Sequence, residues 1–307
     1  LVVEVRGVSK SFGRVKALDN VSFEVKNSEV VGYVGLNGAG KTTTIRIAVG
    51  VLPPDQGDVL IDGYSVTRDK KKASALVGWV PELPIFEAEF KALDYFVYLA
   101  GYYGIPPSEA RRLGRELLER FGLGGALSKK LSEFSLGMKK RFALAVSLIN
   151  NPPNFIFDEV LSGLDPKGIA FFRNLVSEFR KEGKAVLFSS HILSEVEGIA
   201  DRVVFIHRGR IIGAYTMDEI KYRAQPALEL RVSRVDDSVL RLLEKYGEPR
   251  LAGENKVVLG NPRADPNTVI SELISSGVGV FEFKREERSL EEFFFRLIES
   301  AERGEKQ

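Results

Sequence analysis

Apolar and polar positions alternate in short runs from Val2 to Phe23, broken at Phe12-Gly13, and Glu29–Gly35 (EVVGYVG) is apolar enough to predict a buried strand. A glycine-rich loop follows, and residues 41–50 carry helical spacing. Asp58–Val66 (DVLIDGYSV) alternates as a strand, with Pro53, Pro54 and Gly57 marking the turn before it. Between residues 90 and 122 the period lengthens. There KALDYFVYLAGYY and SEARRLGRELLERFG, separated by Gly104 and Pro106-Pro107, predict a helical insertion. Beyond it Asn154–Phe157, Ala185–Ser189 and Arg202–Ile206 are short apolar runs separated by helix-length segments, the pattern of a parallel sheet with crossover helices.

Pro226 disfavours continuation of the preceding helix, and the charge balance changes there, so a boundary is expected at Gln225-Pro226. Residues 226–307 hold 13 basic and 16 acidic side chains, against 31 and 26 before them. Their pattern reads strand (Leu228–Val232), helix (Asp237–Tyr246), two strands around Gly253, helix (Pro266–Ser276), strand (Val278–Lys284) and helix from Ser289 onward. The expectation is therefore an α/β chain of two domains, 1–225 and a small plait-like accessory domain over 226–307.

Composition narrows the chemistry. The 307 residues include no cysteine, which excludes disulfides, a thiol nucleophile, a Cys-ligated zinc and an iron–sulfur cluster, and two histidines leave little for a His-rich metal site. A net charge of +2 offers no field to hold a nucleic-acid backbone, so no nucleic-acid partner is expected. No apolar run reaches the roughly 18 residues of a membrane span, and the opening LVVEVRGVSK lacks an export signal, so the expected compartment is the cytosol.

Two motifs carry the candidate chemistry. Gly35, Leu36, Asn37, Gly38, Ala39, Gly40, Lys41 and Thr42, followed by Thr43, fit GxxxxGK[ST] between a strand and a helix. Such a loop turns backbone N–H groups and a helix N-terminus toward phosphate, with Lys41 neutralising charge and Thr42 offering a hydroxyl to Mg²⁺. Asn154–Glu159 is an apolar strand ending in two carboxylates, where Asp158 can hold Mg²⁺ through water and Glu159 can polarise an attacking water. Asp165-Pro166-Lys167-Gly168 matches a GTPase-like DxxG, but Asn255-Lys256 is followed by Val257-Val258, so no guanine-reading NKxD exists.

Leu131-Ser132-Glu133-Phe134-Ser135-Leu136-Gly137-Met138-Lys139-Lys140-Arg141, just ahead of the acidic strand, resembles the signature motif of ABC-transporter ATPases. Ser162-Gly163-Leu164-Asp165 is similar to that family's D-loop, and Ser189-Ser190-His191 to its switch histidine. Phe12 falls at its adenine-stacking aromatic position, and the ordered motifs cover residues 2 to about 223. The resemblance implies a P-loop NTPase core with a mixed sheet, an antiparallel β subdomain and a helical insertion. It further implies ATP and Mg²⁺ as cofactors, Glu159 and His191 as catalytic residues, and Thr42, Glu82 and Asp158 around the metal. Ser135, Gly137 and Asp165 would act across a composite site made with a second ATPase subunit, identical or not.

Three departures stand out: Glu82 in place of the usual Gln, Leu136 in place of the first signature glycine, and Val160-Leu161 in place of Pro-Thr. The aromatic segment Tyr95, Phe96, Tyr98, Tyr102 and Tyr103 is expected, by family resemblance, to dock a helix of an integral membrane subunit, placing the chain on the inner face of the membrane. Ser289-Leu290-Glu291-Glu292-Phe293-Phe294 is similar to exporter ATPase tails. The expected function is the ATPase subunit of an exporter. A soluble ABC ATPase of translation or DNA maintenance is the alternative, weakened by one ATPase half, no coiled coil and no zinc module. A catalytically dead regulatory module is disfavoured by Lys41 and Glu159.

Overall fold

A long antiparallel hairpin, β1 (Val2–Phe12) and β2 (Val15–Lys26), opens the chain, which is described by a computed structural model over residues 2–223, 227–286 and 290–304. Two compact units result, Leu1–Met217 and Asp218–Gln307. The expected boundary at Gln225-Pro226, and Ser289 of the tail motif, lie outside the described residues.

In the first unit β1 and β2 join β4 (Gln56–Ile61) and β5 (Tyr64–Ser65) in an antiparallel sheet ordered β2-β1-β4-β5. The single strand expected over Asp58–Val66 is instead a tight hairpin, because Asp62 and Gly63 sit at φ 49° and 84°. Two successive left-handed residues reverse the chain with the right twist for flanking strands, and Asp-Gly favours that turn.

A six-stranded sheet, β10-β9-β3-β8-β7-β6, holds the buried runs. Its strands β3 (Val30–Val34), β6 (Val77–Val80), β7 (Asn154–Phe157), β8 (Ala185–Ser190) and β9 (Arg202–His207) are parallel, while β10 (Arg210–Thr216) returns antiparallel to β9. The sheet is thus mixed, and β6 forms an edge that the sequence pattern did not announce. One face packs against α1 (Lys41–Ala48) and the antiparallel sheet, through Val5, Leu18, Val21, Ile45, Ile156 and Leu187. The other face meets α6 (Pro166–Lys181), where Phe155 stacks on Phe179 at 4.1 Å and Phe172 packs between Phe157 and Phe188.

The short α2 (Lys70–Ala75) leads into β6. The insertion is helical as expected: α3 (Ala92–Gly101) and α4 (Pro107–Arg120), then α5 (Leu136–Ser147) leading back toward β7. Phe96 is fully buried in α3, so this aromatic belongs to the core and not to an exposed face. After β8 come α7 (Leu193–Glu197) and, beyond β10, α8 (Met217–Arg223).

The second unit contains β11 (Ala227–Val232), α9 (Asp237–Glu244), β12 (Glu248–Gly253), β13 (Lys256–Gly260), α10 (Pro266–Ser275), β14 (Val280–Glu286) and α11 (Leu290–Gly304). Its sheet runs β12-β13-β11-β14, all antiparallel, with Leu228, Leu230, Val257 and Leu259 packed against Val239, Leu243, Val269 and Leu273 of α9 and α10.

Candidate active site

The loop between β3 and α1 turns because of its glycines. Gly40 has φ 111°, and a Cβ there would lie 2.7 Å from the Leu18 side chain and 2.9 Å from the Ala17 carbonyl. Gly38 is left-handed at φ 78° with open space around it, so the loop crest stays accessible. Lys41, only 6% exposed, places Nζ 2.7 Å from the Gly35 carbonyl and 3.2 Å from the Glu159 carboxylate.

Strand β7 delivers the acidic pair. Asp158 is 2% exposed, and its Oδ1 accepts from the Ser189 hydroxyl at 2.7 Å. Burial pushes its carboxyl above the usual range, opposed by hydrogen bonds from the Ser189 and Thr42 hydroxyls and reinforced by the Glu82 and Glu159 carboxylates. Glu159 takes a left-handed φ of 45°, which swings its side chain between Lys41 and His191. His191 Nδ1 donates to Glu159 Oε2 at 2.8 Å, while the Glu159 backbone N–H donates to Ser189 Oγ at 2.8 Å.

A cleft of about 410 Å³ brings together Asn37, Gly38, Gly40, Lys41, Thr42 and Thr43 with Glu82, Glu159, Ser162 and His191. Phe12 does not line it; the ring is half exposed, with Lys10 Nζ 5.8 Å from its centroid, and the lining residue from β2 is Ala17. Ser135 and Gly137 also lie outside the cleft. Ser135 caps α5, accepting from Met138 N–H, and exposed Leu136 rests over Gly163. Asp165 caps α6 through the Gly168 N–H at 3.0 Å and accepts from Arg141 at 3.1 Å.

Two residues matter beyond their motif assignments. Ser189 joins Asp158 to Glu159, and Lys140, 1% exposed, donates to the carbonyls of Glu159 (2.8 Å) and Ser162. Burial pushes the Lys140 ammonium down, and the carboxylates of Glu82, Glu159, Glu195 and Asp158 pull it back. Lys140 has no sequence signal of its own, because it sits in a run of three basic residues within the signature-like motif.

A glycine loop at a helix N-terminus, with a lysine reaching a strand-end carboxylate and a hydroxyl-bound aspartate beside it, defines the P-loop nucleotide-hydrolase class. Residues 18–162 match the family described as ABC transporter. The chain is 31% identical over 300 residues to the bacitracin transport ATP-binding protein BcrA of Bacillus licheniformis, covering 97% of each. It is 36% identical to the lantibiotic transport ATP-binding protein SrtF of Streptococcus pyogenes over 69% of this chain and 89% of that one. A solved ATP-binding subunit of an ABC transporter superposes with a TM-score of 0.67 at 32% identity, over 73% of this chain and 93% of that one. This chain belongs to the ABC transporter ATP-binding protein family, and it is an ABC-type ATPase.

Proposed function

We propose that this chain hydrolyses Mg-ATP to drive an exporter whose membrane part is a separate polypeptide, two ATPase chains closing over two nucleotides. The carrying observation is Glu159, held between Lys41 and His191 at the end of the strand that bears Asp158. Lys41 would bind the β- and γ-phosphates, Glu159 would accept a proton from the attacking water, and Gly38, Gly40 and Thr43 would border the phosphates. With its Nδ1–H donated to Glu159, His191 keeps Nε2 for the water or, as imidazolium, for the γ-phosphate.

Thr42, Asp158 and Glu82 form a hard oxygen set suited to Mg²⁺, which would neutralise developing phosphate charge. Among the described residues no group of three or more acidic or imidazole side chains could hold a metal alone, so the ion would share nucleotide oxygens. Phe12 would stack on adenine from its exposed position, and Ser135, Gly137 and Asp165 would face the partner's nucleotide. Support for this reading comes from relatives named for bacitracin transport, lantibiotic transport and linearmycin resistance, the last a property that removal of a compound from the cell would give. The test is ATP-dependent efflux from vesicles reconstituted with the membrane subunit; hydrolysis without substrate movement would refute it.

We infer a peripheral place on the cytoplasmic face, held there by the membrane subunit; among the described residues no helix is long and apolar enough to cross a membrane. We place the membrane subunit's docking helix on the aromatic patch of the insertion. Tyr98 and Tyr102, 51% and 73% exposed, share a 2.6 Å hydroxyl–hydroxyl hydrogen bond, and Tyr95 and Phe90 pack beside Tyr98. Leu83 and Ile85, 64% and 90% exposed, are further apolar side chains in the segment joining β6 to α3. Tyr98→Ala with Tyr102→Ala should keep basal hydrolysis and melting temperature nearly intact but abolish co-purification with the membrane subunit. Phe96→Ala, by contrast, opens a core cavity costing roughly 3–5 kcal/mol. Early melting of the tyrosine variant, or full co-purification, would count against this surface.

We also infer that the first unit binds nucleotide by itself. A chain ending after Arg223 should retain ATP affinity within about twofold, measured by fluorescent-nucleotide titration with circular dichroism as the folding control. A folded but non-binding fragment would disprove it.

A further inference from the structure

We propose that the second unit is a dimerisation module, in which β14 pairs antiparallel with β14 of a second copy about a two-fold axis through Phe283. The sheet has two edges, and they differ. The β12 edge carries Pro249, which has no N–H to donate, and ends at Gly253. The β14 edge has neither residue within Val280–Glu286, and it displays Phe281 and Phe283 at 68% and 50% exposure. Four of its seven residues are charged and the pairing with β11 skips Phe281, so this open edge admits another strand only where the charges match.

The charge pattern selects a second copy as the occupant. Across the sheet, Glu229 stands opposite Lys284 and Arg231 opposite Glu282. A two-fold through Phe283, the middle residue of the strand, sets Lys284 opposite Glu282 of the second copy, so the row Glu229, Lys284, Glu282, Arg231 alternates in sign across the junction. Phe283 then meets its own copy. Centring on Glu282 or Lys284 would instead oppose like charges, so the sequence specifies the register. Among the described residues Glu282 and Lys284 make no ion pair within one chain, which leaves both available.

Such pairing needs no nucleotide. By tethering two first units it would raise the effective concentration for their ATP-driven closure. The test is sedimentation velocity on the nucleotide-free full-length chain, with hydrogen exchange over residues 280–286. A dimer with protected β14 amides is expected. Lys284→Glu should weaken it about tenfold, since symmetry turns two favourable cross-strand pairs into two repulsive ones. The exchange Glu282→Lys with Lys284→Glu should restore it, because intrachain neighbours are the same in monomer and dimer. ATP affinity of the single chain, measured at protein concentrations too low for closure, should be unchanged in every variant, which separates this proposal from the assignment of the nucleotide site. A monomeric chain with unprotected β14 would overturn it, as would a dimer indifferent to the charge reversal or protection that appears only with the membrane subunit.

Discussion

Glu159→Gln should bind ATP with nearly wild-type affinity, hydrolyse it about 10² to 10⁴ times more slowly, and accumulate as a nucleotide-bridged dimer. The carboxamide is isosteric, so one oxygen remains to accept from Lys41 or His191, now 3.2 and 2.8 Å from the carboxylate. What disappears is the proton acceptor. Because binding and closure precede that step, the arrested state is the closed one. Light scattering with and without saturating Mg-ATP, on Glu159→Gln that also carries Lys284→Glu so that pairing of the second unit does not mask closure, reads both effects beside a turnover assay. A monomer with unchanged turnover would sink the composite site and the role of Glu159 together.

Lys140→Met should lower the melting temperature by roughly 10 °C and depress hydrolysis with it. The ammonium is buried and fastened to the carbonyls of Glu159 and Ser162, in the field of several carboxylates. Methionine fills the volume but leaves the buried Glu159 carbonyl and the part-buried Ser162 carbonyl without that donor, and removes a positive charge from beside Glu82, Asp158 and Glu159. Breaking a buried charge arrangement on one side costs about 3–5 kcal/mol, and each kcal/mol moves a domain of this size by about 2–4 °C. Adding Glu82→Gln removes one negative charge whose field reaches Asp158 and should recover part of the loss. Melting within about 2 °C of wild type would show that Lys140 carries no such burden.

Much of the architecture was legible because its determinants are local. EVVGYVG reads as a strand because both faces of β3 are covered, and the glycine loop sits where only glycine tolerates the close approach at Gly40. The second unit's order of elements followed from alternation and turn residues alone. The Asp62-Gly63 hairpin was missed because flanking alternation continues through the turn, although Asp-Gly was the available signal. Phe96 was grouped with its exposed neighbours because one helix turn distributes aromatics on opposite faces, and only the packing of α4, whose Gly114 abuts the Phe96 ring, shows which face is inward. The tie from Lys140 to the turn after β7 is a contact between α5 and a later loop, invisible to any spacing rule. So is the bridge from Ser189 to both acidic residues.

The left-handed backbone at Glu159 carries an evolutionary liability. The Cβ of glutamate is strained at φ 45°; glycine lacks the clash, and asparagine offsets it with local hydrogen bonds. The backbone strain therefore pushes this position away from glutamate, while the carboxylate's ties to Lys41 and His191 and its role in turnover hold it. Copies released from transport duty should drift here early, and a laboratory search for heat-resistant variants that does not also screen for ATP hydrolysis should enrich inactive chains changed at this residue.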